Sequence, residues 1–195
     1  MREVIRRYLP LAALKQFIEE AKANVSEEKV ELYKSKKSRD YAENRLKELI
    51  RRNGGELTIR SSDGDDGYIS GESISKLLSG KAVGKSIKNE FTREQHYAVA
   101  SDIDNLYRNS TKIITHPDNK GRLEITAIQR RVAPLYGDSV AYITVREISK
   151  GGNKIYSIEL IELGKLGERL EGIFVDVEST STPSSSLPAN NIENV

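Results

Sequence analysis

Apolar positions along this chain recur at two different spacings, and the spacing changes near residue 110. Before that point they return every three or four residues, the period of a helix with one buried stripe. In "FTREQHYAVASDIDNLYRNS", residues 91–110, His96, Val99, Ala100, Ile103, Leu106 and Tyr107 fall on one such stripe. Thr92 is a candidate N-cap, Gln95 completes a capping box, and Phe91 can staple onto the first turn. One helix is predicted over 92–107. Upstream, 10–23 and 26–53 read as two further helices. The second opens with Ser26 as N-cap and acidic residues in its first turn, and closes on Arg51, Arg52 and then glycine. Its apolar residues (Val30, Tyr33, Tyr41, Leu46, Leu49, Ile50) are sparse and its charges dense, which predicts an exposed hairpin contributing little to a core. "SGESISKLLSG" predicts a short helix over 71–79 closed by Gly80.

After residue 110 the period becomes two. "STKIIT", "LEITAIQRRVAPLY", "SVAYITVREI" and "KIYSIELIEL" are rich in β-branched and aromatic residues and predict four strands. Gly137-Asp138 and "KGGN" are turn signals that join the last three as an antiparallel meander, and "HPDNKGR" is a longer loop before them. The expectation is an α+β fold: helices packed on a four-stranded antiparallel sheet, preceded by a helical hairpin. Residues 1–60 form the hairpin or connector, 61–67 a Ser/Asp/Gly loop, and 68–175 the α+β domain. From Asp176 the chain runs "DVESTSTPSSSLPANNIENV", too polar to bury a core of its own, and reads as a disordered tail or linker over 176–195.

Composition narrows the chemistry. The chain has 195 residues, which suits one domain with appendages. It has no cysteine and only two histidines, so no disulfide, thiolate site or zinc cluster is expected, and no cofactor. There is no apolar run of membrane-spanning length and no signal-peptide pattern, so a soluble cytoplasmic protein is expected. The opening "MREVIRRYLPL" is equally compatible with a piece of a longer polypeptide. The net charge of +2 is unevenly spread: +5 over residues 1–60, −3 over 61–80 with "SSDGDDG", and +4 over 81–135. A basic middle permits contact with a polyanion without demanding it; solvated surface is the alternative.

The segments "SGESISKLLSGKAVGKSI", "FTREQHYAVASDIDNLYRNST", "RLEITAIQRRVAPLYGDSVAYITVREI" and "KIYSIELIEL" together resemble the large polyvalent protein-associated domains, which sit inside very long proteins of phages and conjugative mobile elements. The resemblance covers residues 68–163. It implies a relation to the barnase/EndoU/colicin/RelE-like nuclease fold, and with it a metal-independent endoribonuclease or toxin-type activity. In such chemistry a base takes the 2′-OH proton, an acid protonates the leaving oxygen, and cations stabilise charge on phosphorus. The alternative is a non-catalytic interaction module of the same fold, with nucleic acid, a partner protein or other domains of a longer polypeptide as partner.

Candidate catalytic residues for the first reading are His96, Arg130, Arg131, Thr144 and Tyr156. His96 has the proton affinity for transfer near neutral pH, or else it is packing on an apolar stripe. Arg130 and Arg131 lie on opposite faces of one strand, so one of them points inward and needs a carboxylate, Glu147 or Glu159, or a phosphate. Thr144 and Arg146 share a face of the next strand, and Tyr156 lies on the last. His116, Lys120 and Arg122 in the "HPDNKGR" loop are candidate nucleic-acid contacts, or solvent-facing loop residues. No glutamate stands out as the general base.

Overall fold

The computed structural model describes residues 10–118, 121–150 and 153–166. The tail expected over 176–195 lies outside them. Seven helices and six strands occur among the described residues: α1 (Leu11–Lys22), α2 (Glu27–Lys34), α3 (Arg39–Arg52), β1 (Leu57–Arg60), β2 (Asp66–Ile69), α4 (Gly71–Leu77), α5 (Gly80–Lys88), α6 (Arg93–Ala100), α7 (Ile103–Arg108), β3 (Thr111–His116), β4 (Ile125–Tyr136), β5 (Ser139–Lys150) and β6 (Asn153–Lys165).

The four predicted strands are present as β3–β6, each antiparallel to the next, with the expected meander as β4–β6. The sheet is nevertheless six-stranded and mixed, in the order β1-β2-β6-β5-β4-β3, which corrects the expectation of four antiparallel strands. β1 and β2 pair as a hairpin around the acidic turn, and β2 then runs parallel to β6, with Tyr68 beside Ser157. Each of these strands has only four residues, too few for alternation to register, and β2 starts at Asp66, inside the expected 61–67 loop. A parallel pair needs a long crossover, here supplied by everything between β2 and β6.

Side-chain hydrogen bonds made by serine break the long helices. Ser35 Oγ donates to Leu32 O at 2.7 Å, and Ser38 Oγ accepts from Tyr41 N–H at 3.1 Å, so the single helix expected over 26–53 becomes α2 and α3. Ser101 Oγ likewise donates to Ala98 O at 2.7 Å, at the break between α6 and α7 within the expected 92–107 helix. The capping box forms as read: Gln95 N–H donates to Thr92 Oγ1 at 3.1 Å and Thr92 N–H to Gln95 Oε1 at 2.9 Å. Gly80 does not close a helix but opens α5, because Ser79 caps it through Ala82 N–H at 3.3 Å.

Helices α2–α7 cover one face of the sheet. The front helices contribute substantially to that core, contrary to expectation: Tyr33, Ala42, Leu46 and Ile50 are buried in the main apolar cluster with Ile103, Tyr107, Ile143 and Ile158. Ala42, Leu46 and Ile50 recur every four residues, so a sparse stripe still suffices to bury one helix face. Helix α1 lies on the opposite face, at one end only, where Leu14 and Ile18 pack on Ile114, Val132, Val140 and Tyr142. The rest of that face carries no helix and forms the floor of two grooves. No helix among the described residues is long and apolar enough to cross a membrane.

Candidate functional site

His96 is packing. It has no solvent exposure, and both ring nitrogens are engaged. Nε2 lies 3.0 Å from Leu77 O, and a carbonyl only accepts, so Nε2 carries the proton of the neutral ring. Nδ1 then accepts from Ser86 Oγ at 2.8 Å, and Ser86 Oγ accepts in turn from Leu163 N–H at 3.0 Å. This chain ties α4, α5 and α6 to β6 and satisfies a backbone donor on that strand. Burial pushes the imidazole below its usual range, and the Leu77 carbonyl only partly offsets this.

Arg131 is the inward arginine and is also closed off. It is fully buried, and its partners are neither Glu147 nor Glu159 but the acidic turn of the β1–β2 hairpin. Nη1 donates to Asp65 Oδ2 at 2.9 Å, Nη2 to Asp63 Oδ1, and Nε to Ser110 Oγ at 2.9 Å. The guanidinium stacks 4.9 Å from the centre of the Tyr107 ring. Burial acts to raise the Asp63 carboxyl, but the hydrogen bond from Ser61, the Arg131 charge and the Lys112 N–H outweigh it and hold it below the usual range.

Arg130, Thr144, His116 and Arg122 do come together, on the part of the sheet face that α1 leaves bare. Arg130 pairs with Thr144 across β4 and β5 and donates to its hydroxyl; Ile128 pairs with both His116 and Arg146. They line a groove of about 480 Å³ whose other wall is Lys76, Lys81 and Lys85 on α4 and α5. Six arginines and lysines face it against two carboxylates, Asp118 and Glu159. Asp118 holds Arg122 at 2.8 Å; Glu159 holds Lys76 at 2.7 Å and Arg146 at 3.1 Å. His116 Nδ1 sits 2.8 Å from Pro117 O, so in the neutral ring Nδ1 carries the proton and Nε2 is the basic nitrogen.

Tyr156 does not join this groove. It pairs with Glu147 across β5 and β6 and packs against the main apolar cluster, with its phenol pushed up by burial and by the nearby Glu147. A larger groove of about 850 Å³ lies on the open face toward β1 and β2. Lys120 lies outside the described residues. Lys76, Lys81 and Lys85 were not singled out in the sequence. Their ten-residue span in "KLLSGKAVGK" is a signal that became legible only once α4 and α5 were placed along β6. Among the described residues no group of three His, Asp or Glu is placed to hold a metal ion.

A family model described as large polyvalent protein-associated domain 3 matches residues 33–156. No match was found among curated proteins or among solved structures. The matched span, well over half of the chain, runs from the core tyrosine of α2 to the first residues of β6 and takes in all six cations of the basic groove. The chain therefore belongs to the family of large polyvalent protein-associated domains, as domain 3.

Proposed function

We propose that this domain is a non-catalytic interaction module that binds the phosphodiester backbone of single-stranded nucleic acid, RNA first, in the basic groove. The observation that supports it best is the convergence of Arg122, Arg130, Arg146 and three lysines on one open sheet face, while His96 and Arg131 are sealed elsewhere. The groove spans β3 to β6, three strand spacings or about 14 Å, which suits two or three successive phosphates. Its floor between the cations is Ile128 and Leu160, and among the described residues no phenylalanine or tyrosine lines it, so recognition is of the backbone and independent of sequence.

The test is fluorescence anisotropy with labelled U12 RNA across a salt series. The expected slope of log K against log salt is about −1.4 to −2.1, from about 0.7 per phosphate on a single strand. Arg130→Ala should weaken binding roughly tenfold or more, the 1.5–3 kcal/mol of a charge-assisted hydrogen bond. Salt-independent binding, or full binding by Arg122→Ala/Arg130→Ala, would defeat the reading. Metal-independent ribonuclease activity is the second reading, favoured by His116 standing in the groove beside Arg130 and Thr144. It requires cleavage of U12 in EDTA, leaving a cyclic phosphate, and loss of that cleavage in His116→Gln.

A further inference from the structure

The second groove on the open face has the opposite character. Its rim carries Glu56, Asp66, Glu72 and Glu124, all exposed, and its inner end carries Glu159. The basic residues along it are Lys76, held by Glu72 at 2.6 Å and by Glu159; Arg146, held by Glu159; and Lys154, held by Glu147 at 2.6 Å. On the rim Asp66 also pairs with Arg60 at 3.3 Å, which leaves five carboxylates against three cations along the groove. One tyrosine forms a wall. Tyr68 is hydrogen-bonded to Glu56, which with burial and the Glu56 charge pushes its phenol up to about 12. Tyr156, next to Ile155 on β6, faces the other side of the sheet and packs against the main apolar cluster. The groove floor is apolar, made by Ile125, Ile148 and Ile155 where β4, β5 and β6 lie side by side.

We infer that this acidic groove binds an extended peptide bearing lysine or arginine at alternate positions. Charge complementarity selects a cation, since five carboxylates face the groove in a chain whose net charge is +2. The Tyr68 ring suits a guanidinium or ammonium head, and the aliphatic stems of those side chains suit the isoleucine floor. A peptide fits better than a free amine for two reasons. At about 850 Å³ the groove lies high in the roughly 300–1,000 Å³ range of ligand sites, and Thr58, Ser70 and Ser157 line it with hydroxyls able to meet peptide amides. In an extended peptide, residues i and i+2 stand about 6.8 Å apart on one side, so alternate cations face the same wall. The two grooves meet at the Lys76–Glu159–Arg146 cluster, which lines both, so polyanion and polycation would bind side by side on one sheet face and share that border.

The experiment uses the full chain and a fluorescein-labelled heptapeptide of alternating glycine and arginine, read by anisotropy. Binding is expected, weakened at least tenfold in Glu72→Gln/Glu124→Gln and at least fivefold in the single charge reversal Glu124→Lys. Both sites are exposed, and circular dichroism melts confirm that each variant keeps its fold. Arg130→Ala, in the neighbouring groove, is expected to bind the peptide as the native chain does, so failure of nucleic-acid binding leaves this result standing. Undiminished peptide binding in both carboxylate variants would overturn the inference, as would equal loss in Arg130→Ala. Displacement of the peptide by spermine at equal charge concentration would also overturn it, because a site for any polycation is not a peptide site.

Discussion

The Arg131 clamp offers the sharpest test of how the hairpin is fastened to the sheet. In Asp63→Asn/Asp65→Asn the guanidinium keeps Ser110 and the Tyr107 ring but loses both carboxylates while remaining fully buried. Removing the partners of a buried charge costs about 3–5 kcal/mol. The two aspartate side chains are 30% and 24% exposed, and water screens part of the interaction, so the expected loss lies at the low end, about 3 kcal/mol. Arg131→Met should cost less, about 2 kcal/mol, because Asp63 keeps Ser61 and the Lys112 N–H, and Asp65 keeps Lys112 Nζ at 2.8 Å. The triple variant, with neither charge nor partner, should then fall short of the summed loss by roughly 2 kcal/mol. Urea denaturation followed by circular dichroism measures each value, with an unchanged m-value confirming the same unfolding reaction. A second readout is pH. The depressed Asp63 carboxyl contributes stability that is fully present above its unfolded value of about 3.9 and is lost as pH falls through the folded value. Wild type should therefore lose stability below about pH 4 more steeply than the asparagine variant. A loss under 1 kcal/mol in the double variant, or strict additivity in the triple, would refute a buried ionic clamp.

His96→Ala should cost about 3 kcal/mol by combining a core cavity with unsatisfied Ser86 and Leu77 groups, yet leave U12 binding unchanged; a selective loss of binding would reinstate His96 as functional. Because burial lowers the imidazole, only the unfolded chain takes up its proton below about pH 6.5, so wild-type stability should fall as pH drops through that value, and less steeply in His96→Gln by thermal melts at stepped pH. At Gly67 an added Cβ would overlap the Tyr107 ring and lie 2.9 Å from Ile158 Cδ1, so Gly67→Ala should cost about 1–3 kcal/mol in the same urea assay, and a neutral substitution would mean that Tyr107 moves freely.

Local signals made much of this fold legible before any contact was known. The Thr92–Gln95 box involves residues three apart. β3 to β6 were visible because alternation and β-branching act within each strand, and the turn signals Gly137-Asp138 and "KGGN" favour antiparallel pairing of neighbours. The same alternation put Arg130 and Arg131 on opposite faces. The resemblance of the helical and strand segments likewise led to the right family.

Alternation alone could not say which arginine faces inward, because that depends on which face the helices cover, and a shift of one residue exchanges the two. Arg131 is buried by partners 66 and 68 residues away, on a hairpin whose strands are too short to announce themselves. The apolar stripe placed His96 among core residues, but its satisfied ring depended on Leu77, Ser86 and Leu163 arriving from three other elements. Neither groove exists on any single segment. Each is the part of one sheet face that α1 leaves bare, bordered by helices turned along the edge of β6, and charge met charge there only after the chain had closed.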